Sequence, residues 1–314
     1  MRIAFRIDIS SEIGTGHYMR MSSLAEVLSE FGHSCDFFKE NNEPVDYRGY
    51  DIVIVDTYRV DDEYIAMLNS EERIVICYDD NALYNYNCDV IINANLHAHE
   101  LNFKFSKKTP LMLLGGKYAL LRREFRESKP IGVREKANRV FVCFGGSDTR
   151  NITPHVVKAL RRMESLHLIV VLGAYTKCDY EVVALANDYV KVYKAPESIA
   201  ELMKQCDMAI TAAGSMVYEM AALGVPTLLI TQAENQIHIA DYMTRKGLMK
   251  CVGNWQDASY GHLEHEVAAL IKDVDRRKKE SQELVAEIDK NGTLNTAQAI
   301  LELVKKRNFL GYAR

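Results

Sequence analysis

Arg2-Ile-Ala-Phe-Arg-Ile-Asp8 is a short apolar strand pattern, followed by a Ser/Gly-rich loop over 10–16 and a helical pattern from His17 to Phe31. That strand–loop–helix order decides the fold. A strand that feeds a helix through a tight glycine turn is the opening unit of a parallel α/β sheet. Further short strands fit 34–38, 51–55, 73–77 and 89–92, with a helix near 61–69 between two of them. Alternation of this kind predicts a parallel sheet wrapped by helices.

Apolar periodicity lapses between Arg126 and Asn138, where Lys, Glu, Pro and Gly accumulate, so this stretch reads as a linker. The pattern then restarts. Strand 139–144 runs into Gly145-Gly146-Ser147-Asp148, helix 152–163 follows, and strands at 167–172, 189–193, 207–210 and 226–230 alternate with helices. The expected fold class is therefore α/β, with two Rossmann-like domains at 1–128 and 139–314. The second is expected to be built like the first and to carry the nearly all-helical tail from about residue 258 onward.

With 314 residues the chain can bury two cores of ordinary size, and 48% hydrophobic with 26% charged residues is globular composition. A formal charge of −4 from 39 basic and 43 acidic residues gives no reason to expect nucleic acid or an anionic membrane as partner. The seven cysteines are scattered, odd in number and never spaced as C-x-x-C, which argues against a disulfide framework and a zinc ribbon. No apolar run approaches the roughly 18 residues of a membrane span, so a cytoplasmic protein without membrane insertion is expected, as monomer or weak dimer.

Three glycine elements could carry chemistry. In the first, Gly14 and Gly16 let the backbone turn sharply, and His17 at a helix start feels the positive end of the helix dipole and stays neutral enough to accept a proton. A plain turn with a solvent-facing histidine fits the same spacing. Arg6 and Asp8 bear on the choice, because charges at the C-terminal end of a parallel strand are unfavourable in a core but expected at a ligand crevice. The second element, Gly145-Gly146-Ser147-Asp148, places backbone N–H groups where a pyrophosphate fits, or is a turn with an aspartate cap. The third joins Gly214 and Ser215 to a helix that stops at Gly224; Glu219, one turn in, could bind ribose hydroxyls or answer the helix dipole.

The stretch from Asp207 to Pro226, with Gln232 and Asn235-Gln236, resembles the nucleotide-binding signature of GT-B glycosyltransferases of the MurG type. The runs Phe5–Asp8, Gly14–Arg20, Asp56-Thr57-Tyr58, Tyr78-Asp79-Asp80, Asn93-Ala94-Asn95, Gly116–Arg122 and Phe144–Asp148 narrow the resemblance to the PseG-like family, with SpsG-type spore-coat proteins as relatives. That family hydrolyses UDP-2,4-diacetamido-2,4,6-trideoxy-β-L-altropyranose on the route to pseudaminic acid. The resemblance implies a GT-B arrangement with a cleft between domains and a UDP-sugar substrate. It also implies His17 as general base, Gly145, Gly146 and Ser147 against the diphosphate, and Glu219 on the ribose.

The sequence reading adds Gly214 and Ser215 to the nucleotide set, and Arg6, Asp8, Gly14, Gly16, Tyr58, Asp80, Asn93 and Asn95 to a sugar and diphosphate set. No cofactor and no metal are expected. His97 and His99 lack a further ligand pair and read as a loop, and Asp79-Asp80 fits sugar contacts or a turn cap as well as a cation. With one base candidate and no evident nucleophile, the expected mechanism is water attack at the anomeric carbon with C–O cleavage and inversion. A GT-B glycosyltransferase using a UDP-sugar donor and a non-catalytic nucleotide-sugar binding module are the rival readings.

Overall fold

The computed structural model describes all residues except 9–15, 40–44, 59, 60, 70–72, 83, 106–108, 258 and 312–314, and the side chains of 308, 310 and 311. Among the described residues the chain forms two compact units.

The first unit carries β1 (Arg2–Ile7), α1 (Gly16–Glu30), β2 (Ser34–Lys39), β3 (Ile52–Asp56), α2 (Asp62–Leu68), β4 (Ile74–Tyr78), β5 (Asn85–Tyr86), β6 (Val90–Asn93), β7 (Lys104–Phe105) and β8 (Leu111–Leu114). Six strands pair in parallel in the order β2-β1-β3-β4-β6-β8, and β5 with β7 form a separate small ladder. β1, β3, β4 and β6 are almost wholly buried, which is why they read as continuous apolar runs and not as alternation. Met21, Leu24 and Leu28 of α1 close one face over Ile3, Phe5 and Ile54.

The second unit begins at Arg123 and holds α3 (Arg123–Glu127), β9 (Arg139–Cys143), α4 (Ile152–Leu160), β10 (His167–Leu172), α5 (Asp179–Val183), β11 (Val190–Lys194), α6 (Ile199–Met203), β12 (Met208–Thr211), α7 (Met216–Leu223), β13 (Thr227–Thr231), α8 (Ile237–Arg245), β14 (Lys250–Asn254), α9 (Tyr260–Lys272) and α10 (Val274–Glu287). Its parallel sheet runs β11-β10-β9-β12-β13-β14. The two units are thus not built alike. The second reverses direction between its first and fourth strands, the first between its first and third. In both sheets the reversal opens a crevice at the carboxyl ends of the strands. Each sheet also has a sixth strand that the sequence pattern did not show, β8 and β14, both at an edge and partly exposed.

The final helix, α11 (Gly292–Gly311), corrects the expected boundaries, because Asp289–Arg314 belongs to the first unit. Ala297, Ile300 and Val304 are buried in the core of β1, β3, β4 and β6. Gly292 permits the docking: a Cβ there would stand 2.4 Å from the Ala119 carbonyl oxygen.

Arg277 on α10 is fully buried and donates to the Leu270, Ile271, Arg134 and Glu135 carbonyls, at 2.7 Å for Leu270 and 2.9 Å for Arg134. It thereby satisfies the C-terminal carbonyls of α9 and pins the segment preceding β9. Arg277→Met keeps the volume but strands those acceptors, and is expected to destabilise the second unit by about 3 kcal/mol or more, read as a lowered denaturant midpoint.

Candidate active site

The carboxyl ends of β1, β3, β4 and β6 deliver Asp8, Asp56, Asp80, Asn93 and Asn95 to one crevice, and the first turn of α1 brings His17 and Arg20 there, three residues apart and so on one helix face. His17 Nδ1 lies 2.6 Å from Asp56 Oδ1. Arg20 grips the same carboxylate with both arms of its fork, Nε to Oδ2 at 2.7 Å and Nη2 to Oδ1 at 2.5 Å. Its third arm, Nη1, donates to Asp80 Oδ2 at 2.9 Å, and its guanidinium stacks 3.9 Å from the centre of the Tyr78 ring. Asp80 also accepts from the Tyr58 hydroxyl at 3.1 Å and from Asn95 Nδ2 at 2.9 Å. The Tyr58 ring meets the imidazole edge-on, and its backbone N–H donates to Asp8 Oδ2. One hydrogen-bonded network therefore contains His17, Asp56, Arg20, Asp80, Tyr58, Asn95 and, through Tyr58, Asp8.

Protonation follows from the partners. Burial by itself raises the Asp56 carboxyl, but the Arg20 charge and then His17 outweigh burial and hold it at about 2, so the group is an ionised acceptor. Burial likewise opposes the charge of Arg20, and Asp56 and Asp80 more than restore it. A 2.6 Å contact to a carboxylate places a proton on Nδ1 of His17, so that in the neutral ring Nε2 is the lone-pair nitrogen. The pair is an imidazole oriented by a carboxylate, an arrangement whose distal nitrogen can accept a proton when the ring is neutral.

Arg6 is buried, and its Nη1 donates to the Lys39 carbonyl at the end of β2 at 3.1 Å. Gly16 is the first residue of α1, and Gly14 lies outside the described residues. Asn93 is fully buried, with Oδ1 accepting from Asn95 N–H; its Nδ2, like Asp8 Oδ1, has no partner among the described residues. Sequence alone gives Asp56 and Arg20 a place in the motifs and no role. The signal for Asp56 was present: an acid closing the buried run Ile-Val-Ile-Val.

In the second unit the loops after β9, β12 and β13 meet. Gln232 Nε2 donates to the Phe144 carbonyl at 3.2 Å, Gln236 Oε1 accepts from Gln232 N–H at 2.9 Å, and Gln236 Nε2 lies 4.0 Å from where a Cβ on Gly214 would stand. Gly145 has a φ of +82°, which suits glycine, and the Gly146 carbonyl accepts from Tyr175 N–H. Ser147 is buried beside them. Asp148 decides one alternative: its two oxygens take the N–H groups of Ile152 and Thr153, so the start of α4 carries its own aspartate cap and offers those donors to no ligand. The start of α7 is different. Ser215 is exposed and its own side chain makes no capping bond, and Glu219 sits half-buried in the first turn. The buried Gln232 Oε1 has no partner among the described residues, and Gly173, tight beneath Gly145 and Gly146, is a further residue that sequence reasoning passed over.

Two doubly wound parallel sheets, each with its polar loops at the crevice where strand order reverses, define a protein of the two-Rossmann-domain class. Residues 139–300, more than half of the chain, match the glycosyltransferase family 28 C-terminal domain, and the chain belongs to that family. The Campylobacter jejuni UDP-2,4-diacetamido-2,4,6-trideoxy-β-L-altropyranose hydrolase is 25% identical over 270 residues, covering 79% of this chain and 97% of the relative. An uncharacterized protein of Methanocaldococcus jannaschii is 28% identical over 284 residues, covering 78% of this chain; the chain spans 59% of that relative's length. Among solved structures, MurG of Acinetobacter baumannii superposes with a TM-score of 0.65 at 13% identity, covering 96% of this chain and 100% of MurG, which shows the shared GT-B fold. Among the described residues no helix is long and apolar enough to cross a membrane, and no cluster of three metal-ligating side chains occurs.

Proposed function

We propose that this protein is a UDP-sugar hydrolase that releases UDP from UDP-2,4-diacetamido-2,4,6-trideoxy-β-L-altropyranose, on a route to pseudaminic acid or a related surface glycan. The observation that carries the reading is the His17–Asp56 pair, an oriented imidazole with Nε2 set to take a proton. The name and near-complete coverage of the Campylobacter relative support the substrate. In the proposed step the oxygen of water attacks the anomeric carbon, its proton passes to His17 Nε2, and the C1–O bond breaks with inversion as UDP leaves with the electron pair. UDP is a good leaving group, so the demand falls on activating water. Gly145, Gly146, Ser147, Gly214, Ser215 and Glu219 are assigned to the nucleotide, with donors from the start of α7, where Ser215 makes no capping bond, and not from α4. Asp8, Tyr58, Asp80, Asn93 and Asn95 are assigned to the sugar. All seven cysteines are free thiols, in keeping with a proposed cytoplasmic location.

The family description favours one second reading, transfer of the sugar to an acceptor other than water. Purified protein incubated with the UDP-sugar in ¹⁸O-water separates the two. Acceptor-independent UDP release with label in the sugar and none in UDP is the expected result. Label in the phosphate, or release only when a saccharide or lipid acceptor is added, overturns it.

A further inference from the structure

We propose that Arg20 is a positioning residue for His17, cancelling the charge of Asp56 at the imidazole so that the ring is held by a carboxylate without being driven to imidazolium. This role presupposes that His17 activates water and adds what keeps it ready to do so. A lone carboxylate 2.6 Å from an imidazole favours the protonated ring, which cannot act as a base. Here the guanidinium sits 3.1 Å from the same Nδ1 and is bidentate to the same carboxylate. Both partners are withdrawn from solvent, with 12% of the Arg20 side chain and 1% of Asp56 exposed, so screening is weak and the opposing charges act at close to full strength.

The groups facing the pair among the described residues are few. Asp56 comes from β3, Asp80 from the loop after β4, the Tyr78 ring from β4 and the Tyr58 ring from beyond β3. The charge of Arg20 is therefore divided between two carboxylates, Asp56, which touches His17, and Asp80, which meets Arg20 and the Tyr58 hydroxyl. Removing the guanidinium and removing the Asp80 carboxylate must then shift the imidazole in opposite directions. An Arg20 that only packed the site would leave the His17 midpoint unmoved when the guanidinium is replaced by a neutral side chain.

The test is the titration of His17 by NMR in protein carrying ¹³C-labelled histidine, with the signal assigned by its loss in His17→Asn, and in parallel the pH dependence of kcat/KM for UDP release. Arg20→Gln is expected to move the His17 midpoint and the acid limb upward by about one unit or more, so that activity lost near neutrality returns in alkali. Arg20→Lys, which keeps the charge, is expected to stay within about half a unit of the parent, and Asp80→Asn to shift downward. An Arg20→Gln protein that titrates like the parent overturns the proposal, as does an Asp80→Asn shift that is absent or upward. Should Arg20→Gln fail to fold, Arg20→Met, which also lacks the charge and keeps the length of the side chain, is titrated in its place with the same expected direction. The NMR titration does not depend on turnover, so a parent protein that releases no UDP overturns the hydrolase reading and leaves the charge balance separately measured.

Discussion

Asp56→Asn is expected to lower kcat for UDP release by about 10²- to 10⁴-fold. The carboxylate accepts from three donors at once, Nδ1 of His17 and two nitrogens of Arg20, and an amide cannot. With its oxygen toward His17, the amide NH₂ opposes Nε of Arg20. Turned over, the NH₂ faces both Nη2 of Arg20 and Nδ1 of His17, and that clash is relieved at His17 only if the ring moves its proton to Nε2. The second orientation abolishes the base by choosing the wrong tautomer. Stability also falls, because Arg20 loses its principal counter-charge in a buried place, a change of roughly 3 kcal/mol. Single-turnover kinetics beside a denaturation midpoint separate the two effects, and a variant that keeps kcat within tenfold of the parent removes His17–Asp56 from the mechanism.

Gly173→Ala is expected to weaken UDP binding by an order of magnitude or more. Gly173 follows β10, and a Cβ on it would lie 2.3 Å from the Gly146 carbonyl oxygen and 2.5 Å from that of Gly145. Both obstacles are backbone, so a rotamer change cannot relieve them and the Gly145–Gly146 loop has to lift. Overpacking of this kind costs about 1–3 kcal/mol in stability. The displaced loop is the one assigned to the nucleotide, so calorimetric titration with UDP should report the larger effect. An unchanged Kd would detach that loop from nucleotide binding.

Residues at the ends of apolar strands were readable in sequence because burial makes a polar group there conspicuous: Asp8 and Asn93 each close such a run, Asp80 follows one in the pair Asp79-Asp80, and Asp56 obeys the same rule. Arg20 was not readable as a buried clamp, since an arginine in the first turns of a helix is ordinarily solvated, and only the carboxylates of β3 and the loop after β4 draw it inward. Strand succession was legible and strand order was not, because order is fixed by which crossover packs where. Gly173 likewise looks like any glycine after a strand until the loop that rests on it is known. Asp148 could be read in two ways, as part of an anion cradle or as a cap, and its bonds to Ile152 and Thr153 N–H choose the cap.

The return of α11 to the first unit has a consequence for synthesis. The core around Ile3, Phe5 and Ile54 is completed by Ala297, Ile300 and Val304, which are made after the whole of Arg123–Ile288. Arg123–Ile288, by contrast, is contiguous. The half of the protein made second is thus the first able to close its own interior, while the strands bearing Asp8, Asp56 and Asp80 emerge early and wait, with the face under α1 only partly covered, for residues 297–304.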